Sequence, residues 1–205
     1  MDIEGTEVGE TLDGTIEADR LWGLGGDDTI RGDGFAPGIS GSGSGADQYI
    51  GGDDEIDGGE GDDWLAGGHG ADWLWGGPGA DRFVFGTHIP LDPNYITPTI
   101  YVLDTGVGEG ARDVIHDFEQ GVDLIDLSLL LTLGYRHLSI NDAYEFIGTV
   151  AFTGERPQVR YEIEDGRTVV QLDGQGPYSR GVDGVVDAEI ELVGQFELQT
   201  TDFIL

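Results

Sequence analysis

The chain has 205 residues and a formal charge of −32, from 41 Asp and Glu against nine cations that are all Arg. Such a surface repels nucleic-acid phosphates and anionic membranes and attracts cations. The absence of cysteine excludes disulfides, thiolate metal sites and a Cys nucleophile.

No apolar run approaches the ~20 residues of a membrane span. Met1-Asp2-Ile3-Glu4-Gly5 lacks the basic start and apolar core of an N-terminal signal peptide. Taken alone, that composition points to the cytoplasm.

From residue 5 the chain repeats with a nine-residue phase. The units read GTEVGETLD (5–13), GTIEADRLW (14–22) and GLGGDDTIR (23–31). Residues 32–41, GDGFAPGISG, break the phase and read as an inserted loop, so Asp33 is expected to be inert toward any repeat chemistry. The phase resumes at SGSGADQYI (42–50), then at GGDDEID (51–57), a unit short by two. Three strict units follow: GGEGDDWLA (58–66), GGHGADWLW (67–75) and GGPGADRFV (76–84). The eighth place is apolar throughout: Leu12, Leu21, Ile30, Tyr49, Ile56, Leu65, Leu74 and Phe83.

From about residue 86 glycine thins and strand-like runs appear. Residues 87–112 read as a Pro-rich surface connection carrying the run Ile100–Leu103. Asp113–Phe118 predicts a further strand. Residues 127–133 (LSLLLTL) read equally as a short helix or a buried strand. Residues 157–173 predict a hairpin turning at Asp165-Gly166. Glu189–Val193 and Asp202–Leu205 complete a β-dominated second half.

A turn of the form Gly-Gly-x-Gly needs positive φ or close backbone approach. The residues after its Asp leave room for a short strand whose middle side chain points inward. Two units then form one coil, so units n and n+2 stack. A hard cation between stacked turns gains carbonyl and carboxylate oxygens, which suits Ca²⁺ with its six to eight ligands better than Mg²⁺. Without the cation the coil has too little apolar surface to offset chain entropy and carboxylate repulsion. Folding and metal binding become one event. The plainer reading, a disordered acidic linker, does not account for a phased apolar residue.

The pattern resembles the repeats-in-toxin (RTX) calcium-binding β-roll. The DVIHDF run (113–118), with GVDLIDLS (121–128) after it, is similar to the segment that follows the roll in serralysin-type metalloproteases and in the R-modules of alginate epimerases. The closing Asp202-Phe203-Ile204-Leu205 resembles the terminus of type I secretion substrates. The resemblance implies an all-β fold, a parallel β-roll over residues 1–86 and a β-sandwich-like cap over 113–205. It also implies several Ca²⁺ ions, a type I exporter as partner and an extracellular location.

By the family's pattern, sixth-place acids pair across stacked turns: Asp63 with Asp81, Asp54 with Asp72, and Asp47 with Asp63. The turn glycines Gly52, Gly58, Gly59, Gly61, Gly67, Gly68, Gly70, Gly76, Gly77 and Gly79 would supply carbonyls. In the first units Glu10 replaces Asp and Glu17 replaces glycine, so Asp19 and Asp28 belong to a weaker coil. Asp113 stands where the family places a further ligand.

Other signals are thin. Trp22, Trp64, Trp73 and Trp75 occupy outward places, either packed under the second half or forming a platform for sugar rings. A polysaccharide-binding module is therefore the alternative function, and a preceding catalytic domain a further possible partner. His69, His88, His116 and His137 show no metal-binding spacing, and His69 reads as exposed. The G-x-S-x-G string at 41–45 lacks the strand-to-helix context of a nucleophile elbow. No catalytic constellation is evident. The Asp173 loop, with Asp183 and Asp187, reads as a solvated acidic loop.

Overall fold

A computed structural model describes residues 1–33, 51–89, 100–102, 105–130, 143–174 and 182–205. The expectations placed on Asp47, Tyr49, residues 41–45, residues 131–133 and His137 lie outside them.

Eight three-residue strands build the first part: β1 (Asp2–Glu4), β2 (Thr11–Asp13), β3 (Arg20–Trp22), β4 (Thr29–Arg31), β5 (Glu55–Asp57), β6 (Trp64–Ala66), β7 (Trp73–Trp75) and β8 (Arg82–Val84). Then come β9 (Thr87–Ile89), β10 (Ile100–Val102), β11 (Asp113–Ile115), β12 (Leu124–Asp126), β13 (Glu145–Phe146), β14 (Gln158–Glu164), β15 (Arg167–Asp173), β16 (Ala188–Leu192) and β17 (Phe203–Ile204). Among the described residues there is no α-helix; Ser128–Leu130 and Thr200–Asp202 form single 3₁₀ turns.

Odd and even strands separate into two parallel stacks, as a two-unit coil requires. One sheet runs β1-β3-β5-β7-β11-β16-β15-β14-β13 and the other β17-β12-β8-β6-β4-β2. Because β1 to β7 each show only their middle side chain inward, the eighth-place residues form two columns, which later strands continue. Ile3, Leu21, Ile56, Leu74 and Ile115 are successive register partners in one. Leu12, Ile30, Leu65, Phe83, Ile125 and Phe203 are those in the other. Most are fully buried, and together they fill the interior of the roll. The column starts one unit earlier than the repeat phase indicates, at Ile3.

The register overturns one part of the repeat reading. β3 pairs directly with β5, and β4 with β6, so neither stack has a rung for a strand from residues 42–50. The partners in these pairs are 35 residues apart, against 18 for β5 with β7. The excess of 17 equals the length of 34–50 (35 − 18 = 17). Gly32 and Asp33 are thus the first two places of the unit that 51–57 completes, and the excursion splits one turn between its second and third places. The unit that looks two residues short is whole.

The second half continues the same sheets. β11 pairs in parallel with β7, and β12 with β8, adding one more coil after Val84. β16 and β17 extend the two sheets again, and the hairpin β14–β15 adds antiparallel strands. A division at residue 86 therefore cuts across continuous sheets. The hairpin turns at Asp165 (φ 47°) and Gly166 (φ 85°), the two left-handed residues of a type I′ turn. Within 87–112, β9 and β10 pair antiparallel. Arg112, buried, joins Glu191 (2.8 Å), Glu189 (3.2 Å) and Glu164 (3.3 Å), offsetting acidic charge where the cap meets the roll.

The second place of a turn takes left-handed φ at Gly59 (99°), Gly68 (104°) and Gly77 (93°), and Leu24 holds the same conformation at 75°. A β-carbon in that region is strained. Leu24→Gly is expected to raise stability by roughly 0.5–1 kcal/mol, the strain relieved less the entropy glycine loses on folding. Urea denaturation at saturating calcium measures it.

Candidate metal sites at the stacked turns

The turns between strands carry two ladders of sixth-place acids. On one edge the backbone N–H of Glu10 donates to Oδ1 of Asp28 (2.8 Å) and that of Asp28 to Asp63 (2.7 Å). Asp63 N–H donates to Asp81 (2.9 Å) and Asp81 N–H to Asp123 (3.0 Å). On the other edge the N–H groups of Asp19, Asp54 and Asp72 donate to Oδ1 of Asp54 (2.7 Å), Asp72 (2.8 Å) and Asp113 (2.9 Å).

Each carboxylate has a second oxygen. Oδ2 of Asp28, Asp54, Asp63 and Asp81 is buried and accepts no hydrogen bond. An uncompensated charge in such a place is costly. A β-carbon added to the first-place glycine would collide with that oxygen: Gly58 with Asp63, Gly76 with Asp81, Gly23 with Asp28, and Gly32 with Asp54. The same β-carbons would meet the carbonyl of the next first-place glycine, Gly58 O at Gly23, Gly67 O at Gly32 and Gly76 O at Gly58. Glycine here keeps open a cradle bounded by carboxylate and carbonyl oxygens. Among the described residues no three His, Asp or Glu side chains gather as a metal site, so the oxygen set is partly backbone. A donor set of oxygens alone fits Ca²⁺.

The electrostatics agree. Burial pushes the carboxyls of Asp54 and Asp81 up to about 7 and that of Asp63 up to about 6, and neighbouring acids add to it. The ladder N–H bonds pull the other way without cancelling it. Asp28 and Asp123 are raised for the same first reason, burial.

Asp54 meets Asp72 and Asp63 meets Asp81, as the stacking of n on n+2 requires. On the far side of Asp63 stands Asp28, the place expected for Asp47. Oδ2 of Asp19 accepts from the Thr15 hydroxyl (2.8 Å) and Oδ2 of Asp123 from the Glu119 N–H (2.7 Å), unlike Oδ2 of Asp28, Asp54, Asp63 and Asp81. His69 is half-buried rather than exposed, and burial pushes its imidazole down.

Three acids escaped the sequence reading. Asp123 closes one ladder; its signal was an acid two places before a buried apolar residue, the spacing of Asp113 to Ile115 repeated at Asp123 to Ile125. Asp117 accepts the N–H of Gly76 (2.9 Å) and Gly77 (3.0 Å). Asp33 accepts the N–H of His69 (2.6 Å) through Oδ2, while its buried Oδ1 has no hydrogen-bond partner, and burial pushes its carboxyl up to about 6. It is part of a turn, contrary to the inert loop position expected. The fifth-place acids, by contrast, bridge turns from outside: Asp27 accepts from Asp62 N–H (3.1 Å), Asp62 from Ala80 (2.9 Å) and Asp53 from Ala71 (2.9 Å). Asp173 accepts the N–H of Gly184 (2.9 Å) and ties its own loop.

The outward tryptophans pack in part. Trp75 stacks on His116 and Trp73 meets the same ring edge-on, whereas the Arg31 guanidinium lies 5.7 Å from the centre of the Trp64 ring.

Residues 4–36 and 49–83 match the model of the RTX calcium-binding nonapeptide repeat, in four copies. The gap in the match falls inside the excursion at 34–50. No curated protein matches the chain at a significant level. Among solved structures, the chain is similar to the AlgE6R2 subunit of an Azotobacter vinelandii mannuronan C5-epimerase. That pair shares 20% identity over 100% of this chain and 92% of the other, with a TM-score of 0.40. The AlgE6R3 subunit of the same source shares 23% identity over 98% and 80%, with a TM-score of 0.28. The stacked turns of the described residues match RTX calcium-binding nonapeptide repeats and are carried on a two-sheet parallel β-roll.

Proposed function

We propose that the chain is a non-catalytic module whose folding is driven by calcium outside the cell. It would pass a type I exporter unfolded, where calcium is scarce, and close when millimolar calcium fills the turns. The observation that carries this reading is the set of four buried Oδ2 atoms facing glycine cradles. The ligands proposed are the sixth-place acids Asp28, Asp54, Asp63, Asp72 and Asp81, with Asp113 at the end of one ladder. Carbonyls come from the turn glycines, and the split turn adds Asp33. Asp19, satisfied by Thr15, and Asp123, satisfied by the Glu119 N–H, stay outside the set.

Far-UV circular dichroism during a calcium titration tests this, with magnesium as control. A cooperative gain of β signal with calcium alone is expected; a full β signal in chelated protein would overturn it. The same titration at two pH values adds a signed expectation. The folded carboxyls sit at about 6 to 7, above the ordinary value of 3.8. The contribution of these carboxyls to the stability of the metal-free roll is therefore fully present below about pH 4 and lost as pH rises through 6 to 7. Calcium needs the ionised form. The calcium midpoint should accordingly fall between pH 5 and pH 8, while calcium-depleted protein keeps more β signal at pH 5.

A further inference from the structure

The last residues of β3, β5 and β7 point out of the first sheet. Trp22, Asp57 and Trp75 are successive register partners there, on β3, β5 and β7. With Glu55 and Ile56 they line a cleft of about 190 Å³. One face of Trp75 is covered by His116, with ring centroids 4.2 Å apart and planes within 10°. His116 follows β11, the strand on the far side of β7 from β5, so the opposite indole face looks toward the Asp57 rung. Rungs are about 4.8 Å apart, which sets Trp22 and Trp75 about 9.5 Å apart with a carboxylate between them.

The charges in the cleft are not equivalent. Glu55 is held by Arg20 at 2.9 Å. Among the described residues no basic side chain forms an ion pair with Asp57. A group midway between the two indoles would lie about 5 Å from each, within the ~6 Å over which a cation is drawn to an aromatic face. The other sheet already stacks a cation on an outward tryptophan, Arg31 on Trp64. A neutral polyol would leave the Asp57 charge uncompensated.

We propose that this cleft binds an alkylated ammonium group, held between Trp22 and Trp75 with Asp57 as its counter-charge. The inference is independent of which residues hold calcium.

The test uses the full chain at saturating calcium, with its far-UV spectrum recorded first, so that a folding failure is seen as such. Tetramethylammonium chloride is titrated against tryptophan fluorescence and the indole N–H signals, with sodium chloride at equal ionic strength as control. A saturable response confined to Trp22 and Trp75 is expected. Trp75→Leu and Asp57→Asn should each weaken it by about three-fold or more, and Trp64→Leu should leave it unchanged. Should a variant not fold, the indole shifts in the unaltered chain still locate the site. The proposal is overturned by no saturable response, by an equal response to a neutral disaccharide, or by shifts at Trp64 instead.

Discussion

Asp63→Ala raises the calcium midpoint by about ten-fold or more. Asp63 stands between two turns: its Oδ1 accepts the N–H of Asp28, its own N–H donates to Asp81, and its buried Oδ2 faces the cradle of Gly58. The substitution strips a proposed ligand and leaves the Asp28 N–H buried and unsatisfied. An orphaned donor alone costs about 1–3 kcal/mol, and 1.4 kcal/mol is ten-fold in an equilibrium constant. Glu109→Ala, at an exposed loop residue, should leave the midpoint within roughly two-fold. Circular dichroism against calcium concentration reads both. Equal midpoints would mean that the ladder contributes nothing to the metal-bound state.

Asp33→Ala should behave like Asp63→Ala, not like Glu109→Ala. The N–H of His69 relies on the Asp33 carboxylate, and its other oxygen is buried beside the Asp54 acid. One stranded donor and one lost carboxylate give an expected rise of about ten-fold in the calcium midpoint. Calcium-depleted protein should move the opposite way, because the like charge that pushes Asp54 up is gone. Indifference to the substitution would place residue 33 outside the turn and return the start of the excursion to residue 32.

The periodic part of this molecule was legible because one side chain in nine does one job. Leu21, Ile56 and Leu74 share a column for the reason they share a phase: each is the only inward residue of its strand. The acids at Asp54, Asp63, Asp72 and Asp81 were legible on the same ground. The segment 42–50 was not, because composition imitates phase: SGSGADQYI scans as a repeat, yet the backbone ladder passes straight from β3 to β5. The clue was arithmetic, two places missing at 51–57 and two left over at 32–33. The continuation into β16 and β17 was illegible for another reason. No Gly-Gly-x-Gly turn precedes either strand, so their parallel pairing with β11 and β12 rests on tertiary contacts such as Ile190 with Asp113 and Phe203 with Ile125.

A turn that resumes after a 17-residue interruption, with every later rung in step, shows where this architecture tolerates foreign sequence. Ring closure adds only about 0.6 kcal/mol for each doubling of the enclosed length, so the interior of a turn is a cheap doorway. A peptide spliced between Asp33 and Gly51 would be displayed at the rim of the coil, its two ends clamped by the neighbouring layers. A strand, three residues long and read on both faces, offers no such opening.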